Sequence, residues 1–458
     1  MDDPPSPFGH VNAPGLLRYR DAHPCSTHFN RPPKITGSSH AKIRSKIMFA
    51  LSISIIGTIT LSVLLISIMR RAAVHLALID HPDARKQHEG VIPLCGGVCI
   101  FSVFTASLFF SGAHDVLDAV AWIGLAVIVI VGMVDDMHAL PARLRLSLQF
   151  AAAALLINAL PLSTISFGTL FPADIGPVPV VFVFAIVFVS GSINAWNMLD
   201  GVDGLAGGSA AMALPWLMLF AAEAGDGTLI FPIEMLMAAI FGFLFFNMRS
   251  PFRKRASVFL GDAGSTALGA TIAYLILRLS CGPNAIAFPV LAWIIIVPVI
   301  DTLSLMVRRT WARRSPMSAD RWHMHHLLLD QGFSPAHTTL IILAASTLCG
   351  GWGYIGHDLG ISDTVMTIGL LMPVAVHTAF VALVSGTMNG QSPTLARIAQ
   401  IQTFDVGPIS DAGSNAPAKP MLVASDMSAS VVSLTSLPVV APPTRAAGSQ
   451  TGLGRGWL

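Results

Sequence analysis

Residues 177–222 read PVPVVFVFAIVFVSGSINAWNMLDGVDGLAGGSAAMALPWLMLFAA. Two apolar runs, 177–196 and 204–222, each come close to the ~20 residues that cross a bilayer as a helix. Neither alternates in the manner of a strand, so two membrane helices are expected rather than two barrel strands. Between them stands a polar hinge, Asn194-Ala-Trp-Asn197-Met-Leu-Asp200-Gly201-Val-Asp203-Gly204. Carboxylates at membrane depth are costly, about 2.5–3.5 kcal/mol each at a helix centre, and two of them beside two asparagines need a reason.

Working outward, the same apolar pattern recurs at 47–69, 93–111, 118–134, 146–162, 228–248, 264–280, 287–306, 337–356 and 362–386. This makes eleven expected membrane helices and an all-α polytopic fold, with the transmembrane domain at 47–386. Composition agrees: 53% of the 458 residues are hydrophobic and 11% charged, against about 25% charged in soluble domains. Basic residues cluster in alternate loops, with Arg70, Arg71, Arg85 and Lys86 in the first, Arg143 and Arg145 after the third helix, Arg249 to Arg255 after the seventh and Arg308 to Arg321 after the ninth. The positive-inside bias puts those loops in the cytoplasm. A nucleic-acid partner is not expected, because the basic residues are scattered between apolar runs. The five cysteines form no C-x-x-C pair and imply no disulfide framework.

Residues 1–46 carry seven Lys and Arg yet fall on the outer side of this topology, against the bias. The expectation is a disordered extension, or a start of synthesis at Met48. The Ser-, Ala-, Pro- and Gly-rich stretch 387–458 is expected to be a disordered tail.

Four further polar clusters lie at the cytoplasmic helix ends. Asp83, Arg85, Lys86 and His88 precede Ile92-Pro93-Leu-Cys-Gly96-Gly97; they either anchor the loop or grip phosphate. Asp135 and Asp136 are about 100° apart on a helix, so one points at a given site more directly than the other. Gly261-Asp262-Ala-Gly264-Ser265 opens a helix whose first N–H groups suit phosphate and whose carboxylate suits the metal neutralising it, or else is a simple N-cap. Asp320-Arg321-Trp-His323-Met-His325-His326 offers imidazoles for zinc or for a pyrophosphate. Asn197, three residues before Asp200, shares its helix face; amide and carboxylate oxygens at that spacing suit Mg²⁺.

Taken in this order, the motifs resemble those of the polyprenyl-phosphate sugar-1-phosphate transferases, glycosyltransferase family 4, over about residues 48–385. The resemblance implies transfer of a sugar-1-phosphate from a UDP-sugar to a polyprenyl phosphate at the cytoplasmic face of a bacterial inner membrane. It implies Mg²⁺ or Mn²⁺ at Asp262 with Asn197. Asp135, Asp136, Asp200 and Asp203, with His323, His325 and His326, would serve catalysis, and Arg85, Lys86, His88, Asn194, Asn247 and Arg321 would bind substrate. The form His323-Met324-His325-His326 is similar to the branch that uses UDP-N-acetylglucosamine and undecaprenyl phosphate to begin surface glycans such as O-antigen. The branch using phospho-N-acetylmuramoyl-pentapeptide has three consecutive histidines there. The remaining alternatives are another UDP-amino-sugar and, more distantly, a transporter, whose charges should lie at the bilayer midplane in repeated halves. The lipid bilayer is an expected partner, and a homodimer is compatible with the resemblance.

Overall fold

A computed structural model describes residues 37–80, 91–170, 178–313 and 322–388. Four expected substrate-binding residues, Arg85, Lys86, His88 and Arg321, lie outside the described residues, as do the far N-terminus and the segment 389–458. The fold is all-α. In chain order it runs α1 (Gly37–His75), a short antiparallel pair β1 (Ile79–Asp80) and β2 (Ile92–Pro93), α2 (Gly96–Ser111), α3 (Ala119–His138), α4 (Ala142–Leu156), α5 (Val178–Leu199), α6 (Leu205–Glu223), α7 (Ile230–Asn247) and α8 (Gly261–Leu279). It continues with α9 (Phe288–Ala292), α10 (Ile296–Trp311), α11 (Met324–Asp330), α12 (Pro335–Asp358), α13 (Asp363–Gly369) and α14 (Leu371–Met388).

Every expected apolar segment falls on one helix or on a broken pair. Among the described residues, seven helical segments are long and apolar enough to cross a membrane. The other segments depart for physical reasons. Helices α2 and α4, of 16 and 15 residues, reach only about 22–24 Å at 1.5 Å per residue. The ninth segment is interrupted at Trp293–Ile295, giving α9 and α10; the eleventh, although broken at Leu370 into α13 and α14, is one of the seven. The eighth, α8, is built largely of small and hydroxyl residues, and nearly all of it is buried.

Helix α8 is the axis of the bundle. It packs against α3 and α5 most extensively and against α2 and α6 as well. Backbones in such a bundle come close only where side chains are small. At the α2–α8 crossing a Cβ on Gly97 would lie 2.1 Å from the Cα of Gly264. The start of α2 is also stitched to the chain entering α8, with Gly96 N–H donating to the Phe259 carbonyl at 3.0 Å and Gly97 N–H to that of Leu260 at 2.8 Å. Phe259 N–H in turn donates to the Pro93 carbonyl at 2.9 Å. The β1–β2 ladder and the first turn of α8 are thus one construction, and it delivers Asp262 to the end of the bundle where the basic loops emerge.

Candidate active site

The first turn of α8 is the centre of the site. Gly261 has φ +73°, a conformation that costs a side-chain-bearing residue about 1–2 kcal/mol. A Cβ there would also meet Asp136 Oδ2 at 2.6 Å. The reason for the crowding is that Asp136 caps α8 from another helix: its Oδ1 accepts from Asp262 N–H at 2.8 Å and its Oδ2 from Ala263 N–H at 3.2 Å. This corrects the expectation that these N–H groups are open to a phosphate. A carboxylate at a helix N-terminus satisfies both the orphan donors and the helix dipole, and here it fixes α3 to α8.

Asp135 faces the other way along α3. Its Oδ1 accepts from Leu140 N–H at 2.6 Å and its Oδ2 from Arg145 Nη1 at 2.6 Å. The same Arg145 nitrogen lies 3.4 Å from Asp262 Oδ2, so one guanidinium of α4 bridges two carboxylates. In the sequence Arg145 stands out only as one of the basic residues on the helix after Asp135-Asp136, where it could meet a polar ligand, with no role in the site assigned to it. From α5, Asn197 Nδ2 donates to Asp262 Oδ1 at 2.7 Å and to Ser265 Oγ at 3.1 Å. Asp135, Asp136, Asn197 and Asp262 therefore come together from three helices.

The hinge between α5 and α6 closes a second side. Asp203 Oδ2 accepts from Arg249 Nε at 2.7 Å and from Ala256 N–H at 3.0 Å. Asp203 thereby holds the loop between α7 and α8. Asp200 is half-buried in the same hinge. Burial, and then the negative charges of Asp262, Asp136 and Asp203, push its carboxyl well above the ordinary carboxylate range. Burial is the larger cause; the three carboxylates add to it, and a cation would relieve their repulsion.

The histidine segment sits over this hinge. His325 is buried, and a Cβ on Gly201 would fall 2.3 Å from its Nε2. The rings of His323 and His325 stack at 5.6 Å with 5° between planes, and His326 lies 4.2 Å from His325. His323 Nδ1 donates to Asp301 Oδ2 at 3.0 Å. The three histidines are thus brought to the Asp200–Gly201 turn.

Two expected substrate contacts are used differently. Asn247 is buried, its Oδ1 accepting from Gly204 N–H at 2.8 Å and its Nδ2 donating to the Val258 carbonyl at 2.9 Å; it ties the hinge to the chain entering α8. Asn194 Nδ2 donates to Gln149 Oε1 at 3.0 Å and to the Ser190 carbonyl at 2.8 Å, tying α5 to α4.

Among the described residues, no three of His, Cys, Asp and Glu gather as a closed metal-ligand set. Mg²⁺ does not require one. It keeps several waters and takes one or two carboxylates together with substrate phosphates. Asp262 supplies hard oxygen, Asn197 places an amide beside it, and the surplus negative charge at Asp200 favours a cation. The donor set fits a Mg²⁺–diphosphate complex.

Comparison with known proteins gives the same reading. The family model described as glycosyl transferase family 4 matches residues 119–280, the stretch from the start of α3 through α8. A Salmonella typhi protein named undecaprenyl-phosphate alpha-N-acetylglucosaminyl 1-phosphate transferase is 33% identical over 313 residues, covering 67% of this chain and 84% of its own length. The protein of that name from Escherichia coli K12 is 31% identical over 321 residues, covering 67% and 84%. That from Pasteurella multocida is 31% identical over 324 residues, covering 70% and 90%. With relatives at this identity matched over most of their own length, the chain belongs to glycosyl transferase family 4 and is a multi-pass membrane enzyme of the polyprenyl-phosphate sugar-1-phosphate transferases.

Proposed function

We propose that the enzyme transfers N-acetylglucosamine-1-phosphate from UDP-N-acetylglucosamine to undecaprenyl phosphate, releasing UMP, at the cytoplasmic face of a bacterial inner membrane. The product would be the first lipid-linked intermediate of a surface glycan. The observation that carries the reading is the meeting of Asp135, Asp136, Asn197 and Asp262 around the first turn of α8, at the end of the bundle where the basic loops lie. The donor sugar is supported by the names of the relatives and by the His323-Met324-His325-His326 form.

An oxygen of the lipid phosphate attacks the sugar-linked phosphorus. The bond from that phosphorus to the bridging oxygen breaks, and UMP leaves with the electron pair. Such transfer depends on positioning and charge stabilisation rather than on covalent chemistry. Asp262 and Asn197 would hold Mg²⁺, or Mn²⁺, which when bound offsets charge on the diphosphate. Asp200 and Asp203 would frame the same cation site through the hinge. His323, His325 and His326 would donate to the pyrophosphate or the sugar. Arg85, Lys86, His88 and Arg321 would hold the anionic substrates.

Asp135 is poorly suited to act as a general base. It already accepts from a guanidinium and a backbone N–H, and both bonds favour its charged form. A phosphate monoester has its second pKa near 6, so the nucleophile is dianionic without help. Asp135 instead orients Arg145 beside Asp262. The donor assignment is tested by incubating membranes with undecaprenyl phosphate, Mg²⁺ and radiolabelled UDP-N-acetylglucosamine or a rival UDP-amino-sugar. A labelled lipid with the first supports it, and a labelled lipid only with a rival overturns it.

A further inference from the structure

His377 is unusual for its surroundings. It lies in α14, within the apolar segment Asp363–Val384, and is buried. An ionisable side chain in such a segment is costly and calls for a partner. The partner is Asp301 of α10, whose Oδ1 lies 3.3 Å from His377 Nε2. Asp301 is itself buried and accepts from two further donors, His323 Nδ1 on Oδ2 at 3.0 Å and Met324 N–H on Oδ1 at 2.8 Å. His377 Nδ1 is buried and makes no hydrogen bond among the described residues. A proton on Nδ1 would be unsatisfied, whereas one on Nε2 is donated to Asp301.

The contacts continue toward the site. A carboxylate on one ring nitrogen sets which nitrogen of an imidazole carries the proton and which is left for a ligand. Asp301 accepts from His323 Nδ1 and so leaves Nε2 as the nitrogen for a ligand. His323 stacks on His325, and His325 rests on Gly201 beside Asp200. One line of contacts thus runs from the last helix to the catalytic hinge.

We infer that His377 is a positioning residue for the transfer reaction: through Asp301 it fixes the orientation and proton position of His323, and with them the seating of His325 on the Asp200–Gly201 turn. The inference rests on the transferase reading of the site. It makes a prediction opposite to that of a space-filling role. Leucine suits an apolar helix but cannot donate to Asp301; glutamine is a poorer fit but carries an amide N–H at nearly the reach of Nε2.

The test compares purified His377→Leu and His377→Gln in detergent, with Mg²⁺-dependent UMP release and ¹⁵N NMR of labelled histidine rings, His323 being assigned with His323→Gln. Orienting partners of functional imidazoles are worth about 10- to 100-fold, so His377→Leu should lose that much kcat while His377→Gln stays within about threefold of wild type, and only the leucine variant should alter the His323 ring signals. Wild-type turnover by His377→Leu, or equal loss in both variants, overturns the inference. If His377→Leu does not fold, His377→Asn replaces it: its shorter amide should fail where glutamine succeeds, and equal activity of the two refutes the role. If wild type turns over no UDP-amino-sugar, the transferase reading fails by itself. The ring signals then decide, and His323 signals unchanged in the leucine or asparagine variant overturn the positioning.

Discussion

Replacing Gly261 by alanine isolates the contact on which the site is built. The new Cβ would lie 2.6 Å from Asp136 Oδ2. An ordinary carbon–oxygen contact is about 3.3 Å, so Asp136 must withdraw by about 0.7 Å. Its bonds to Asp262 N–H and Ala263 N–H, now 2.8 and 3.2 Å, would then stretch to about 3.5 and 3.9 Å, beyond the range of a hydrogen bond. The positive φ costs about 1–2 kcal/mol, and each weakened bond to a charged group costs about 1.5–3 kcal/mol. A displacement of this size near reacting atoms lowers turnover by about 100-fold. Gly112 provides the control. It has the same φ, +73°, at the C-terminus of α2, but nothing lies within 4 Å of its Cβ position. Gly112→Ala therefore carries the backbone cost without the clash. The assay is the initial rate of UMP release by the purified variants, beside their melting temperatures in detergent. The expected result is a small loss of melting temperature in Gly112→Ala, a larger one in Gly261→Ala, and a collapse of turnover in Gly261→Ala alone. Wild-type turnover in Gly261→Ala, or equal turnover loss in both, would refute the reasoning.

Two further outcomes are expected. Arg145→Gln removes the guanidinium that bridges Asp135 and Asp262; losing about 1.5–3 kcal/mol of charged hydrogen bonding should lower kcat/KM by about 10- to 150-fold, with partial recovery in Arg145→Lys, a point charge without the planar fork. Unchanged kcat/KM in Arg145→Gln would remove Arg145 from the site. Asn247→Leu strands the Gly204 N–H and the Val258 carbonyl, about 1–3 kcal/mol each, so the melting temperature should fall by several degrees while the KM for the UDP-sugar changes little; a raised KM at unchanged melting temperature would return Asn247 to the nucleotide.

The bundle was legible because hydropathy and length identify a membrane helix without tertiary information. What hydropathy does not register is a break inside an apolar run, and the interruptions at Trp293–Ile295 and Leu370 passed unseen for that reason. The polar helix ends were legible as a group, since carboxylates beside apolar runs need an explanation. Their individual tasks were not. Asp136 acts on backbone groups 126 residues away, and nothing in the adjacent pair Asp135-Asp136 tells which one turns toward α8 and which toward Arg145. Asn247 read as a ligand contact because a buried asparagine that ties two stretches of backbone has the same sequence signature as one that meets a nucleotide. His377 did carry a signal, a lone ionisable residue inside an apolar segment, but its partner Asp301 lies 76 residues earlier, and only the fold joins them.

The central claim is that the carboxylates gathered at the first turn of α8 are the transfer centre. The most direct measurement is release of UMP, and formation of the lipid-linked sugar, by purified wild-type protein and Asp262→Asn given undecaprenyl phosphate and UDP-N-acetylglucosamine, with Mg²⁺ or with chelator. The account predicts equal amounts of the two products from wild type, loss of both on chelation, and no metal-dependent turnover by an Asp262→Asn protein that still melts cooperatively. Undiminished product from Asp262→Asn would contradict it.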